Sequence, residues 1–363
     1  MKDTLRVAGT YIAAIIGAGY ASGQEVIQFF TSYGWLGIVG TFVSMGLYPL
    51  LGYFLVVLGD KLQVSSHKGV IYHLCGKYLG LVIDILLVFF LFGVGVIMVS
   101  GSGSLFRQHF GITPVVGYFV FMSLVILTLI LSLRKIVTIL SWMSPYAFIL
   151  IILLAVYSLF ISHTNISELE TISKTQLSAS PNWLLSALLH VSFNVSIAFA
   201  LMVILGATEK NKQATRCGAI IGGITLGFIL FIINIAIYAN IDTLQHTDMP
   251  MLQLATNINP MIGYLMVIAL LGMMFSTAVP CFYTFIARFI KVETNQFKIA
   301  SIVVGIAAFV LGFIGFTNLV NTVYPLLGYV GFILIASLIV YLFRKRISWK
   351  LNEQHNNYKK HVE

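Results

Sequence analysis

The sequence predicts an all-α integral membrane protein with ten transmembrane helices. Of its 363 residues, 59% are hydrophobic and only 9% are charged, whereas soluble globular chains carry about 25% charged residues. So few charges cannot cover a water-exposed surface, and helices that satisfy their own backbone hydrogen bonds are stable in lipid. The formal net charge of +9 is spread over short clusters between apolar runs, which indicates membrane topology rather than a nucleic-acid interface.

Ten apolar stretches are long enough to form membrane-crossing helices, because about 20 helical residues span roughly 30 Å of hydrocarbon. The predicted spans are 4–31, 34–59, 79–106, 113–133, 136–161, 182–206, 216–241, 260–288, 298–316 and 319–343. They divide the chain into a first five-helix repeat, an outer loop, a second five-helix repeat and a basic cytoplasmic tail, at 1–161, 162–181, 182–343 and 344–363.

The distribution of lysine and arginine predicts the orientation. With the N-terminus in the cytoplasm, 19 of the 21 basic residues fall in inner segments, and only Arg107 and Lys174 fall in outer ones. Because positive residues favour cytoplasmic loops, both termini are predicted on the cytoplasmic side of a bacterial plasma membrane, the cell inner membrane. A cleaved signal peptide is the alternative for the N-terminus, but the apolar run continues to Phe30.

The first span carries three glycines, Gly17, Gly19 and Gly23, near mid-membrane. Glycine lowers the cost of leaving helical geometry. In lipid, an opened turn is tolerated only where its backbone groups line a cavity or hold a ligand. We therefore predict an interrupted helix, with close packing against a neighbouring helix as the alternative explanation.

The sixth span carries a polar cluster near mid-membrane, formed by His190, Ser192, Asn194 and Ser196. Polar groups at this depth usually face a cavity or another helix. We predict a second interruption here, with hydrogen bonds between helices as the alternative. Interrupted spans at the same position of two halves indicate a transporter binding site. Since each half has five spans, an odd number, the second half must be inverted relative to the first.

The segment Ile15-Ile-Gly-Ala-Gly-Tyr20 resembles the glycine-rich break in helix 1 of the amino acid–polyamine–organocation (APC) superfamily. Its shared architecture is the LeuT fold, a 5+5 inverted repeat with helices 1 and 6 interrupted. The continuation Ala21-Ser-Gly-Gln-Glu25 looks like the YkvI-type membrane proteins, which are regarded as amino acid permeases. The resemblance implies a secondary active transporter that takes up an amino acid or similar small zwitterion by ion-coupled alternating access. A non-transporting nutrient receptor of the same fold is the alternative.

In that fold, backbone amides at the first break hold a substrate carboxylate, and carbonyls at the second break face an ammonium group. By resemblance, the substrate-binding residues are Gly17, Ala18, Gly19, Tyr20, Phe193, Asn194 and Ser196, together with Phe89 and Phe90 of the third span. The two phenylalanines of the third span would close over an apolar side chain, and lipid-facing positions are their alternative.

The family's shared sodium site combines carbonyls of helix 1 with a hydroxyl pair on helix 8. Carried over by resemblance, the sodium ligands are the carbonyls of Ala13, Ile16 and Met273 and the hydroxyls of Ser276 and Thr277. Hydroxyl groups in membrane helices also bond to carbonyls one turn earlier in the same helix, which is the alternative role for this pair.

Glu25 is the candidate for proton coupling. It and Asp84 are the only carboxylates within the predicted spans, and a carboxylate inside the membrane indicates function. Burial favours the neutral form of a carboxylic acid, so Glu25 could carry a proton in place of sodium. The alternative places Glu25 near water in the outer half of the membrane, where it would only bond to a neighbouring helix.

The outer loop from Asp242 to Pro260 contains a short apolar stretch between polar ends. We predict a lid over the outer vestibule, with an ordinary loop helix as the alternative. The part Met249-Pro-Met-Leu-Gln-Leu-Ala255 also matches the family by resemblance.

Enzymatic activity is not predicted. The sequence contains no phosphate-binding loop, no metalloprotease motif and no nucleophile constellation, so neither ATP hydrolysis nor another catalysed reaction is indicated. The predicted partners are the lipid bilayer and a small-molecule substrate, without nucleic acid. The only cofactor expected is the coupling ion, Na⁺ or H⁺, and the oligomeric state is left open.

Overall fold

The structure, a computed structural model, is all-helical over the residues that it describes, which are 1–63, 67–130, 149–159, 166–245, 247–292 and 294–362. Within these ranges, seven helices are long and apolar enough to cross a membrane. Pro114–Ile130 and Ile149–Leu159 are shorter apolar helices. The predicted fifth span, 136–161, is described only from 149 to 159, so the count of ten spans stays a prediction.

The first predicted span is divided into three helices, α1 (Lys2–Ile15), α2 (Ala18–Ser22) and α3 (Gln24–Phe29). Extended backbone at residues 16–17 separates α1 from α2. Between α2 and α3, Gly23 has a φ of 81°, in the left-handed region that glycine adopts without a steric penalty. The chain therefore changes direction twice in the part of the sequence that is rich in glycine.

The remaining helices of the described residues follow in chain order. They are α4 (Trp35–Leu62), α5 (His67–Phe110), α6 (Pro114–Ile130), α7 (Ile149–Leu159), α8 (Ile166–Ser173), α9 (Trp183–Thr208), α10 (Lys212–Ala239), α11 (Ile241–Leu244), α12 (Pro250–Ile258), α13 (Pro260–Ala287), α14 (Asn295–Gly312) and α15 (Phe316–Val362). Helix α5 is kinked at Gly76. The backbone of α15 continues as a helix beyond the predicted end of the last span at residue 343.

The predicted interruption of span six is wrong for this structure, because α9 runs without a break from Trp183 to Thr208. No glycine or proline lies between residues 183 and 205. The polar side chains bond back to their own helix: Asn194 donates to the His190 carbonyl at 3.0 Å, and Ser196 donates to the Ser192 carbonyl at 2.8 Å. Back-bonding of this kind satisfies polar side chains while the helical ladder stays intact.

The long helices form two groups with the broken first span between them. In one group, α1, α4, α9 and α10 pack on one another, and in the other, α5, α6, α13 and α14 do. Helix α15 contacts both α9 and α5, and α2 packs on α13, so these elements join the groups. The break in the first span therefore lies where helices of both groups meet.

Ion pairs connect separate parts of the chain on two opposite faces. At the face with the N-terminus, which we call the N-terminal face, the pairs are Arg6 with Glu209, Arg216 with Asp60, and Arg288 with Asp84. At the opposite face, Arg107 pairs with Asp248, which also accepts a hydrogen bond from Thr317 Oγ1 at 2.7 Å. Each of these pairs joins residues that are far apart in the sequence, so the pairs fix contacts between different helices and loops.

Large apolar side chains cover the outside of the bundle. Phe119 is 66% exposed, Leu153 62% and Val303 59%, although each lies in the middle part of an apolar helix. Such a continuous apolar surface is unfavourable in water and favourable in hydrocarbon. The exposed side chains thus support the prediction of a multi-pass membrane protein.

Candidate functional site

The site begins at Gly19 in α2, where the chain folds back on itself. A Cβ atom at this position would overlap the Glu25 carboxylate, and it would also lie 3.3 Å from the ring of Tyr324. The turn at Gly23 brings Glu25 to this place. Only glycine leaves room for the carboxylate, so the glycine-rich segment and the membrane-embedded acid form one structural unit.

Glu25 bonds to α9 through His190. The distance from Glu25 Oε1 to His190 Nε2 is 2.8 Å, and Asn194 Nδ2 donates to the same oxygen at 3.4 Å. Glu25 is only 3% exposed and His190 is fully buried. A buried carboxylate is stable only with such partners. The polar cluster of the sixth span therefore provides hydrogen-bond partners for Glu25 beside the break in the first span.

A chain of hydrogen bonds continues from His190 on its other ring nitrogen. His190 Nδ1 lies 3.1 Å from the hydroxyl of Tyr48, and this hydroxyl lies 3.2 Å from the hydroxyl of Tyr20. Tyr11 donates to the backbone carbonyl of Tyr48 at 3.1 Å. The tyrosine side chains are fully buried or nearly so. Five polar side chains from α2, α3, α4 and α9 thus form a connected network in the apolar interior.

Aromatic rings enclose this network. Phe193 and Tyr324 stack with their ring centroids 4.8 Å apart and their planes 5° from parallel. The ring of Phe30 packs edge-on against His190 with a centroid distance of 4.8 Å, and Phe29 lies 5.3 Å from the same imidazole. These rings exclude water and strengthen the electrostatic interactions inside.

The structure brings part of the predicted sodium site to the break. A Cβ atom at Gly17 would lie 3.3 Å from Thr277 Oγ1, so α13 faces the extended residues here. The hydroxyls of Ser276 and Thr277 both donate to the Met273 carbonyl at 2.9 Å. This is the back-bonding that we considered as the alternative. Each hydroxyl oxygen keeps lone pairs that the bond to Met273 does not use.

Other predicted binding residues lie away from the break. Ser196 packs against α15 at Gly331. Phe89 is 57% exposed, and its ring contacts Phe285. Phe90 is partly buried and packs against the hydrophobic core. The exposure of Phe89 agrees with the lipid-facing alternative. Phe90, the next residue of the helix, points to a different side.

The two sides of the break differ in accessibility. Every residue from 18 to 32 is buried, and Pro250 and Met251 of α12 pack against Gly23. Toward α1, partial or full exposure is found for Ala13, Ile16, Gly17, Ser276 and Thr277. The short helix α12 therefore covers the break from one side, and the residues on the side of α1 are more exposed.

Several residues of the network were not assigned to the site from the sequence. The sequence marks His190 only as a polar residue at mid-span, and it gives no indication of Tyr48 in the network or of Tyr324 among the enclosing rings. The sequence feature that indicates His190 is a histidine within the sixth span together with a carboxylate within the first span. The tyrosines gave no signal, because tyrosine is also common at membrane interfaces.

Comparison with known proteins identifies relatives of this chain, although no family model matches the sequence. The chain is 27% identical over 342 residues to the uncharacterized membrane protein YkvI of Bacillus subtilis (strain 168), with 92% of this chain and 94% of YkvI covered. This agrees with the resemblance that the segment around Gly19 indicated.

Solved structures match the fold at low sequence identity. MhsT in complex with L-phenylalanine superposes with a TM-score of 0.60 at 17% identity, covering 90% of this chain and 87% of MhsT. The inward-facing conformation of Mhp1 gives 0.62 at 16% identity, with 85% and 69% covered. A Na⁺-coupled sialic acid symporter gives 0.50 at 17% identity, with 84% and 71% covered. These are LeuT-fold transporters rather than enzymes, and the chain shares their fold.

Proposed function

We propose that this protein is a secondary active transporter, which moves an amino acid or a similar small zwitterion across a bacterial plasma membrane by ion-coupled alternating access. The observation that carries this proposal is the buried contact of Glu25 with His190 at the break of the first span. Ionisable side chains at the centre of a membrane bundle are costly, and they usually mark the path of a substrate or an ion.

The substrate's carboxylate is proposed to bind at residues 17–20, next to the buried side chains of Phe193 and Asn194. The break offers backbone groups, and the stacked rings of Phe193 and Tyr324 offer an apolar wall. The carbonyls of α9 are engaged in helical hydrogen bonds, so they are not proposed to bind the ammonium group of the substrate.

Sodium is proposed as a coupling ion at the other end of the break. Support comes from Thr277, whose hydroxyl faces Gly17, and from the Met273 carbonyl next to it. Carbonyl and hydroxyl oxygens at a half-helix C-terminus are the ligands that transporters of this kind use for Na⁺. Ala13, Ile16 and Ser276 complete the proposed set of ligands.

A thermal-stability screen of the purified protein tests the proposal. The common L-amino acids are added one at a time, in buffers that contain either Na⁺ or K⁺. A ligand that binds the folded state raises the melting temperature by mass action. We expect stabilisation by a subset of amino acids with similar side chains, larger in Na⁺ than in K⁺. If none of these zwitterions stabilises the protein in either buffer, the proposed substrate class is wrong.

A further inference from the structure

Glu25 lies where the proposed substrate carboxylate would bind. Its carboxylate fills the space beside Gly19, in the middle of residues 17–20. A substrate carboxylate at this break and an ionised Glu25 would be two negative charges in direct proximity. Two carboxylates that share a site cannot both ionise easily, and one of them holds a proton.

The surroundings of Glu25 provide one group that can neutralise it. Among the described residues, His190 is the only basic side chain within ion-pair distance of Glu25. The other polar groups that face the pair are Tyr20 of α2, Tyr48 of α4, Asn194 of α9 and Tyr324 of α15, and they are uncharged in their usual state. The state of charge of the site thus depends on how many protons Glu25 and His190 hold together.

We propose that Glu25 and His190 form a proton-binding pair, and that one proton must be bound there before the substrate carboxylate enters. This inference rests on the proposed function. The proton binds with the substrate on one side of the membrane and leaves with it on the other, so the transporter moves one proton for each substrate. Occupancy of the pair then couples transport to a proton gradient, whether or not Na⁺ binds near Thr277.

Tyr48 is a positioning residue in this scheme. Its hydroxyl bonds to His190 Nδ1 at 3.1 Å while Nε2 faces Glu25, so it fixes the orientation of the imidazole. Tyr11 is a matched control, because it is an equally buried tyrosine whose hydroxyl bonds only to a backbone carbonyl. Loss of the Tyr48 hydroxyl should alter proton binding by the pair, and loss of the Tyr11 hydroxyl should not.

The first experiment needs no substrate. The infrared carbonyl band of protonated carboxylic acids is recorded for the full chain in lipid nanodiscs, as a function of pH. We expect a buried-carboxyl band that titrates in the wild type and is absent in Glu25→Gln. His190→Gln and Tyr48→Phe should move its midpoint by about one pH unit or more, whereas Tyr11→Phe should leave it unchanged.

Two outcomes would overturn the proton-binding pair. One is a band that persists unchanged in Glu25→Gln, and the other is a midpoint that is insensitive to His190→Gln. If Glu25→Gln does not fold, Glu25→Asp keeps a carboxyl group but withdraws it from His190, and the band should then shift. Asp84, the other buried carboxylate among the described residues, pairs with Arg288. Asp84→Asn is its control and should not affect the titrating band.

The second experiment measures coupling to the substrate. The common L-amino acids are tested for binding to the wild type and to Glu25→Gln, below and above the midpoint of the infrared titration. For one required proton, wild-type affinity should fall about tenfold per pH unit above the midpoint, and affinity in Glu25→Gln should not depend on pH. Equal pH dependence in both proteins overturns the coupling. If no amino acid binds, the proposed substrate class fails, while the infrared result still decides whether the pair binds a proton.

Discussion

The Glu25 carboxylate explains why residue 19 must be glycine. Any side chain here would displace the carboxylate and push the ring of Tyr324 away. We expect Gly19→Leu to abolish amino-acid binding while the protein stays folded, because a leucine would fill the break and block its backbone groups. Binding is measured by the ligand-induced rise in melting temperature.

Gly9→Leu is the matched control for this substitution. Gly9 also lies in the first span, but a Cβ atom there would have no atom within 4 Å. We expect this variant to bind as the wild type does. Unchanged affinity in Gly19→Leu would show that the glycines serve helix packing and not the substrate.

The hydroxyl pair on α13 makes a separate prediction about sodium. In the wild type, we expect Na⁺ to raise the melting temperature above the value in K⁺, even without substrate. The double substitution of Ser276 and Thr277 by alanine should remove this difference, because two oxygen ligands are lost. Replacing Ser123 and Thr225 by alanine is the control, since both hydroxyls only bond back to their own helices. A Na⁺ effect that survives in the first double variant contradicts the site.

The residues of the site could be predicted only in part. The glycines and Glu25 were found because residues of this kind are unusual within an apolar span. Their mutual contact could not be found, since it depends on the turn that Gly23 makes at a positive φ. Phe89 illustrates the opposite error: an aromatic residue in a span gives no signal of the side to which it points.

At the scale of single elements, helix α8 contacts the start of α4 through Glu170. The Glu170 carboxylate accepts a hydrogen bond from the backbone N–H of Trp35 at 2.9 Å. It also accepts one from the hydroxyl of Tyr238 at 3.1 Å and pairs with Lys174 at 2.8 Å. Burial by itself raises the pKa of Glu170, but these three donors together hold the pKa below its ordinary value.

This lowered pKa gives a pH dependence with a definite sign. The stabilisation is fully present above the ordinary pKa of an unfolded glutamate, about 4.3. It is lost as the pH falls through the lower pKa of the folded state. We expect Glu170→Gln to cost about 1–2 kcal/mol near neutral pH, and the difference from the wild type should shrink in acid. Melting curves against pH measure it, with the exposed Glu168→Gln as the control, and a difference that is constant with pH would contradict the role of Glu170.

The helices themselves show why the two predicted breaks had different outcomes. The first span has a glycine at each change in direction, Gly17 at the first and Gly23 at the second, so its backbone leaves the helix at little cost. The sixth span contains polar side chains but no glycine or proline in the corresponding region. Its polar groups found partners on Glu25 and on their own helix, and no backbone opening was needed to satisfy them.

On the scale of the whole molecule, hydrophobicity and span length were sufficient to predict an all-helical membrane protein. The two packed groups of helices could not be read from composition, because they depend on long-range contacts such as those of α15 with α9 and α5. The family resemblance around Gly19 indicated the LeuT fold, which the chain shares with the solved transporters, while the ten-helix 5+5 repeat stays a prediction.

The predicted topology can be tested with single cysteines in a background where Cys75, Cys217 and Cys281 are replaced. A cysteine at Leu177, which is 52% exposed in the outer loop, should react with an impermeant reagent added to intact cells. A cysteine at Lys210, on the N-terminal face, should react only after permeabilisation. The reversed pattern would place the termini outside, against the asymmetry of the basic residues.

Uptake into proteoliposomes tests the central claim most directly, because it separates a transporter from a receptor of the same fold. The amino acids that stabilise the purified protein are offered as radiolabelled solutes under imposed Na⁺ or H⁺ gradients. We expect the wild type to accumulate solute only when a gradient is present, Gly9→Leu to do the same, and Gly19→Leu to accumulate none. Solute that binds to the wild type but is never accumulated under either gradient would contradict the account and favour a nutrient receptor.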